Sequence, residues 1–152
     1  MAEIRTAHLF TVSFDVREIQ NLEKTPFGER RAALVDGGSF EGPKLKGTVL
    51  RGGSDWILGR SDGALQLDVR VVLKTHDGAT IGMTYRGFRH GPAAVIERLN
   101  RGEMVDPSEY YFRTAPFFET ASEKYGWLNR IVAVATGHRL PDGPVYDVFE
   151  VL

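Results

Sequence analysis

The charged and aromatic side chains that could do chemistry cluster in the middle of the chain. Asp68 and Arg70 alternate along one apolar segment, Tyr85 lies in the next segment, and Asp55 precedes both. A carboxyl group among apolar side chains acquires a raised pKa and can exchange protons, while a guanidinium and a phenol can stabilise an oxyanion. This combination predicts acid–base chemistry on a small oxygenated compound.

Roles follow from these residue types. Asp68 is the predicted acid or base, with Asp55 as the second choice. Arg70 and Arg113 bind the oxyanion, and Tyr85 or Tyr111 donates to it. The predicted ligand-binding side chains are Asp55, Trp56, Arg89, Tyr111, Arg113 and Glu119. The alternative is that Asp68 and Arg70 form an ordinary pair on a solvated strand, which contributes about 0–1 kcal/mol. Tyr111 and Arg113 fit equally well as a phenol and a guanidinium that satisfy each other at a barrel rim.

Motifs for metals and cofactors are absent from the sequence. His8, His76, His90 and His138 lack the spacing that is typical of a metal site. No glycine pattern indicates a nucleotide site, and no Gly-x-Ser-x-Gly segment indicates an acyl-transfer nucleophile. The chain has no cysteine, which excludes disulfides and thiolate ligands. We therefore expect no metal and no cofactor.

Length and charge narrow the class of protein. The chain has 152 residues, so we expect a single domain over residues 1–152. The 19 Lys and Arg residues balance the 20 Asp and Glu residues, which argues against nucleic-acid and membrane-surface partners. The longest apolar run, Ile131–Ala135, is too short to span a bilayer. These features predict a cytoplasmic protein whose partner is a small-molecule ligand or substrate.

The elements that must position these side chains are short strands between turn signals. Asp-Gly pairs begin at Asp36, Asp62, Asp77 and Asp142, and this pair favours tight turns. Strands are predicted at residues 7–16, 45–51, 55–60, 64–75, 79–88, 110–119, 129–137 and 145–152. This spacing predicts an all-β fold, a closed or nearly closed antiparallel β-barrel.

One short helix is predicted over residues 91–102. Pro92 lies at its start and Gly102 just after its end, an asymmetry typical of helices. The helix either covers one end of the barrel or only fills a long connection.

Hairpin register decides which side chains share a face. If Asp62-Gly63 and Asp77-Gly78 are two-residue loops, Arg70 lies opposite both Asp55 and Tyr85. The mixed face then carries the following side chains: Asp55, Ile57, Asp68, Arg70, Val72, Met83 and Tyr85. We expect this face to line the barrel lumen. An error of one residue in either loop would move a whole strand to the other face.

Several short segments, taken in order from about Leu9 to Val151, resemble the domain-of-unknown-function family numbered 3237. They are Gly37-Gly38-Ser39-Phe40-Glu41-Gly42-Pro43, Gly52-Gly53-Ser54-Asp55-Trp56, Asp68-Val69-Arg70, Thr75-His76-Asp77-Gly78, Gly87-Phe88-Arg89-His90-Gly91-Pro92, Tyr111-Phe112-Arg113-Thr114, Phe118-Glu119-Thr120, Tyr125-Gly126-Trp127-Leu128-Asn129 and Gly137-His138-Arg139. The resemblance implies a compact β-barrel of the calycin or allene-oxide-cyclase kind and no firm activity. The positions that it marks as belonging to the family pattern are Asp55, Trp56, Asp68, Arg70, Arg89, Tyr111, Arg113, Glu119 and Trp127.

Three functions fit these observations. The first is a cofactor-independent isomerase, cyclase or lyase that acts on a small, apolar, oxygenated metabolite in the barrel lumen. The second is a non-catalytic carrier or sensor, in which Arg70 and Arg113 pair with a ligand carboxylate. The third is a structural role as a homodimer that pairs through an exposed apolar face along Leu65–Leu73.

Overall fold

The chain folds almost entirely into strands. The structure, a computed structural model, describes all of residues 1–152. Its elements are β1 (Thr6–Thr25), β2 (Gly28–Glu41), β3 (Lys46–Val49), β4 (Gly53–Gly59), β5 (Leu65–Thr75), β6 (Thr80–His90), α1 (Ala93–Asn100), β7 (Tyr111–Glu119), β8 (Ala133–Leu140) and β9 (Gly143–Val151). Two 3-10 turns, Pro107–Glu109 and Gly126–Arg130, precede β7 and β8. None of the helices is long and apolar enough to cross a membrane.

The strands form one antiparallel sheet that closes on itself. β1 pairs with β9 on one side and with β2 on the other. β3 and β4 both lie between β2 and β5, so they share one position in a ring of eight. Closure pairs the strands around the ring and removes the exposed edges that open sheets must protect. The predicted antiparallel β-barrel with one short helix is confirmed.

One strand of the barrel was not predicted. β2 begins with the polar run Gly28–Arg31, and the Asp36-Gly37 pair resembles a turn. In the structure this pair lies inside β2, because Gly37 and Gly38 pair with Asp15 and Phe14 of β1. A Cβ at Gly38 would lie 2.0 Å from the Ser13 carbonyl oxygen, so only glycine permits this close approach. The same pairing extends β1 to Thr25, well beyond its predicted end.

The inward face of the barrel is apolar over most of its length. Along β5, buried Leu67, Val69, Val71 and Leu73 alternate with exposed residues. At the end near the β5–β6 turn the interior is filled by packed side chains, among them Phe10, which lies 5.8 Å from the Phe118 ring. The face along Leu65–Leu73 is therefore barrel interior, and it cannot pair with a second copy as the homodimer hypothesis required.

Two tight turns set the register of β4, β5 and β6. At β5–β6 the Thr75 N–H donates to the Ala79 carbonyl at 2.9 Å, and Gly78 has φ +92°. At β4–β5 the Arg60 N–H donates to the Ala64 carbonyl at 3.0 Å, and Gly63 has φ +87°. Both are three-residue loops that end on a left-handed glycine. The Asp-Gly pair supplies two of the three loop residues, not the whole loop.

The extra loop residue corrects the predicted pairing by one position. Tyr85 lies opposite Val69, not Arg70, and Asp55 also lies opposite Val69. Asp55 and Tyr85 therefore face the interior together with the aliphatic row of β5. Asp68 and Arg70 face the solvent instead. The prediction that all four side chains share a lumen face was wrong, because each turn is one residue longer than assumed.

The packed end of the barrel is tied to the β5–β6 turn through Asp77. Its carboxylate accepts hydrogen bonds from the buried Tyr125 hydroxyl at 2.9 Å and from Lys124 Nζ at 2.7 Å. The Thr75 hydroxyl donates to the same carboxylate at 2.5 Å. Lys124, Thr75 and Tyr125 together hold the pKa of Asp77 well below its usual value. The turn is thereby fastened to the segment that leads into β8.

The turn glycines give a test of the register. Replacing Gly63 or Gly78 by Ala places a Cβ in the left-handed region, so each change should lower the free energy of unfolding by about 1 kcal/mol. Gly126→Ala is the matched control, because Gly126 has open space around its Cβ position and no positive φ. Denaturant unfolding of the three variants measures the difference. Equal stability of Gly126→Ala and Gly78→Ala would contradict the turn assignment.

The Asp77 contacts predict the effect of removing a single hydroxyl. Tyr125→Phe removes the hydrogen bond that the buried Tyr125 hydroxyl donates to the Asp77 carboxylate, so it should lower the melting temperature by several degrees at neutral pH. Because the pKa of Asp77 is depressed in the folded state, this contribution is present above about pH 4 and is lost as the pH falls further. The difference between the variant and the wild type should shrink in acid.

Tyr111→Phe is the control for this measurement, since Tyr111 is 47% exposed. A comparable loss in both variants would show that the Tyr125 hydroxyl contributes nothing specific.

Candidate functional site: a charged cavity at one end of the barrel

A cavity of about 240 Å³ lies inside the barrel at the end opposite the β5–β6 turn. Of its 19 lining residues 13 are hydrophobic, so its walls are mainly apolar. Leu99 and Asn100, at the end of α1, belong to this lining. The helix therefore covers the cavity end of the barrel, which agrees with the first of its two interpretations. An apolar cavity with a few polar groups is typical of small-molecule sites.

Aromatic rings separate the cavity from the packed core. Tyr85 and Tyr146 meet edge to face with ring centroids 5.1 Å apart. Phe112 lies 5.3 Å from the Tyr146 ring, and Phe14 lies 5.8 Å from it. Edge-to-face contacts of this kind fix ring positions and add to the stability gained by burial. The cluster forms a rigid aromatic wall for the cavity.

Asp55 supplies the one carboxyl group of the cavity lining. The pairing of β4 with β5 is interrupted between Asp55–Val69 and Leu58–Gln66. At this interruption the backbone N–H of Asp68 donates to Oδ1 of Asp55 at 3.2 Å. Burial raises the pKa of Asp55 to about 6, even though this hydrogen bond and the nearby arginines oppose the rise. The carboxyl group therefore changes its charge in the range where many enzymes work.

Three arginines line the same cavity: Arg31 from β2, Arg89 from β6 and Arg139 from β8. None of their guanidinium groups lies within 4.0 Å of a carboxylate. Arg89 is only 9% exposed, and its Nε has no hydrogen-bond partner. Burial and the charge of Arg139 lower the pKa of Arg89 to about 10. It still carries its charge at neutral pH, so the cavity is strongly positive.

The two buried phenols stay protonated. Burial raises the pKa of Tyr85 well above its ordinary value, and the neighbouring Tyr146 and Asp55 raise it further. Burial likewise raises the pKa of Tyr146, with Asp55 as the next cause. A protonated phenol can donate a hydrogen bond to a ligand oxygen. The cavity thus presents hydroxyl and guanidinium donors and one carboxyl group that exchanges protons.

The structure brings three of the nine predicted site residues into the cavity. Asp55, Tyr85 and Arg89 line it, while Asp68, the predicted acid or base, lies outside with the remaining five. The side chains on the outer surface are Trp56, Asp68, Arg70, Tyr111, Arg113 and Glu119. Period-two alternation along each strand explains the outcome, because every residue with the wrong parity faces the solvent.

Two of the outer residues, Tyr111 and Arg113, contact each other and need no ligand to explain their pairing. The guanidinium of Arg113 lies 5.4 Å from the centroid of the Tyr111 ring and donates to the Phe112 carbonyl at 2.8 Å. These contacts match the alternative in which the two side chains satisfy each other at the barrel rim.

Sequence reasoning missed four polar side chains of the cavity: Arg31, Asn100, Arg139 and Tyr146. Arg31 lies on the strand that was not predicted. Arg139 ends an inward row of small residues on β8, which continues from Ala135 through Gly137. A Cβ at Gly137 would lie 2.6 Å from the Phe112 ring. Such a row of alternating small residues could have indicated that the arginine at its end also faces the barrel interior.

Comparison with known proteins places the chain in a family. Residues 4–151 match the model of the family DUF3237, which is described as a protein of unknown function. The chain belongs to the DUF3237 family. The resemblance that its short segments suggested is therefore confirmed. A UPF0311 protein from Bradyrhizobium diazoefficiens is 36% identical over 147 residues, which cover 97% of this chain and 96% of that protein.

The proteins that are similar to this DUF3237 member include one whose solved structure is a β-barrel and one that is named as an enzyme. A crystal structure from Acinetobacter baumannii, described as a beta-barrel like protein, has a TM-score of 0.87 and 38% identity, and the match covers 100% of this chain and 98% of that one. A Penicillium herquei protein named as a hydroalkoxylation enzyme is 31% identical over 102 residues, which cover 67% of this chain and 53% of that protein.

The raised pKa of Asp55 predicts an unusual pH dependence of stability. Ionisation of Asp55 occurs at about pH 6 in the folded protein and at about pH 3.9 in the unfolded chain. Folding therefore opposes ionisation, and Asp55 lowers stability as the pH rises from about 4 to about 6. Asp55→Asn keeps an oxygen that accepts the Asp68 N–H. It should be more stable than wild type by roughly 3 kcal/mol near pH 8, and equal to it near pH 4.

Asp68→Asn is the matched control, since Asp68 is the adjacent carboxylate on the outer surface. Its unfolding free energy should keep the same fall between about pH 4 and pH 6, slightly reduced because the charge of Asp68 contributes to the raised pKa of Asp55. A variant Asp55→Asn that is less stable than wild type near pH 8 would contradict the placement of an uncompensated carboxyl group in the cavity.

Proposed function

We propose that this protein is an acid–base enzyme that acts on a small, apolar, oxygenated metabolite in the cavity. The observation that carries the proposal is Asp55, a carboxyl group whose pKa burial raises to about 6 inside a mainly apolar cavity. A carboxyl group with this pKa populates both protonation states near neutral pH, so it can donate a proton and take one back. A carboxyl group whose pKa is raised by burial in a cleft is a candidate for a functional residue.

Oxygen binding is assigned to the arginines and the phenols of the cavity. Negative charge that develops on a substrate oxygen is stabilised by Arg89, which is buried, and by Arg139, which is half-buried; both are positively charged and lie near Tyr146. Tyr85 and Tyr146 stay protonated and can donate hydrogen bonds. Preorganised donors in a site of low dielectric stabilise such charge more strongly than water does.

The Penicillium herquei relative supports a particular reaction class, the addition of an O–H group across a carbon–carbon double bond. In this step Asp55 gives its proton to one alkene carbon, and the substrate oxygen bonds to the other. The carboxylate of Asp55 then takes the proton that the oxygen loses. An O–H bond and a C=C π bond are consumed, and a C–H and a C–O bond form, so no oxidant or reductant is needed. When both groups belong to one molecule, the reaction is a cyclisation.

The proposal is tested with 2-allylphenol and 2-(3-methylbut-2-enyl)phenol, which carry a hydroxyl group and an alkene within reach of each other. Incubation in D₂O should give cyclic ethers with one new C–D bond, detected by NMR and mass spectrometry. Asp55→Asn should lower the rate by about 100-fold or more, the usual contribution of a positioned acid or base. Because Asp55 acts first as an acid, the wild-type rate should fall as the pH rises through about 6.

Asp68→Asn again serves as the control and should retain the wild-type rate on the acid side of the profile, where Asp55 is protonated in both proteins. Since the charge of Asp68 contributes to the raised pKa of Asp55, its removal should move the pH profile to lower values. Equal rates in wild type and Asp55→Asn would remove Asp55 from the mechanism. Phenols that bind in the cavity and are recovered unchanged would instead favour the carrier or sensor function.

A further inference from the structure

The cavity has an excess of positive charge that the proposed proton transfer does not explain. Its lining contains three arginines and one aspartate. Acid–base chemistry at Asp55 explains donors for charge that develops during the reaction, but not a lining that carries net positive charge before the reaction begins. We propose that the cavity binds its substrate as an organic oxyanion, such as an enolate, a phenolate or a carboxylate, at Arg89 and Arg139. This inference rests on the proposed function, whose substrate class it narrows.

The arginines that line the cavity repel one another. Arg139 is a cause of the lowered pKa of Arg89, and Arg31 lowers the pKa of both. Arg89 bears the largest burden, because it is nine-tenths buried and its Nε has no partner. Buried charge without a counterion is costly to the folded state. An oxyanion bound among these groups would supply the missing charge and a hydrogen-bond acceptor.

The walls of the cavity restrict which anions fit. Phe112 lies beneath the Arg89 guanidinium at 5.9 Å, and the rings of Tyr85 and Tyr146 continue the same apolar surface. A small inorganic anion would leave these walls unfilled and would lose its hydration shell. A flat conjugated body that carries one ionised oxygen matches both parts of the site. A cavity of about 240 Å³ admits a ligand of one or two fused rings.

The anion also has a consequence for the proton at Asp55. With the oxyanion at the arginines, the reacting carbon is left to face the carboxyl group. The substrate then enters without the O–H proton, and Asp55 regains its proton from solvent after each transfer. Oxyanion binding is assigned to the arginines and proton transfer to Asp55, so each role can be tested with its own substitution.

The test compares 2-naphthoate with 2-naphthamide, which have nearly the same shape but differ in charge. Calorimetry and thermal shift should show that wild type binds naphthoate at least about tenfold more tightly than naphthamide, because only the carboxylate forms charge-assisted bonds with guanidinium groups. Arg89→Met should abolish this preference. Without ligand, the same variant should melt at a higher temperature than wild type, since it removes an unpaired buried charge.

Arg86→Met is the matched control, because Arg86 lies on the same strand but faces the solvent. It should keep the preference for naphthoate. Equal binding of the two naphthalenes, no binding of naphthoate, or a preference that survives in Arg89→Met would overturn the inference.

Asp55→Asn separates this inference from the proposed function. It should keep the naphthoate preference while it loses turnover of the alkenyl phenols. Selective anion binding without any turnover would therefore refute only the acid–base proposal. Turnover without anion preference would refute only the oxyanion site.

Discussion

The alternation of side chains along the strands of a closed barrel is the constraint on which everything else depends. Each strand sends every second residue inwards, so the contents of the cavity are decided by register alone. That register is set by two three-residue turns, each completed by a left-handed glycine, Gly63 or Gly78. Because both turns share this form, the inner faces of β4, β5 and β6 coincide. Asp55 and Tyr85 are thereby brought to the same aliphatic row.

The charged cavity is tolerated because the rest of the barrel is so well packed. Beyond the aromatic wall of Tyr85 and Tyr146, the interior contains apolar side chains down to the turn that Asp77 fastens to Tyr125. The unfavourable burial of Arg89 and Asp55 is confined to one end. The candidate site and the packed core thus occupy different ends of the same sheet, and the candidate site contains groups that a purely structural core would exclude.

Much of the fold could be predicted from the sequence, and rather less of the site. The turn signals and apolar segments led to the barrel, to the helix near residues 93–100 and to the packing face of β5. Strand β2 was not predicted, because its charged start and its internal glycine pair obscure the alternation of apolar and polar residues. The length of a turn that contains Asp-Gly cannot be told from the pair itself, since two- and three-residue loops both accept it. Asp68 and Arg70 were placed inside for this reason, and Arg31 and Arg139 were not considered.

The filling of one barrel end by Phe10, Phe40 and Phe118 has a kinetic consequence. Because this end is filled, the cavity opens at the end that α1 covers. A ligand would therefore enter and leave by the same route. A second molecule could therefore enter the cavity only after the first had left. A ligand in this cavity would be selected by its length, because one that is too long would extend past Leu99, at the end of the eight-residue helix α1.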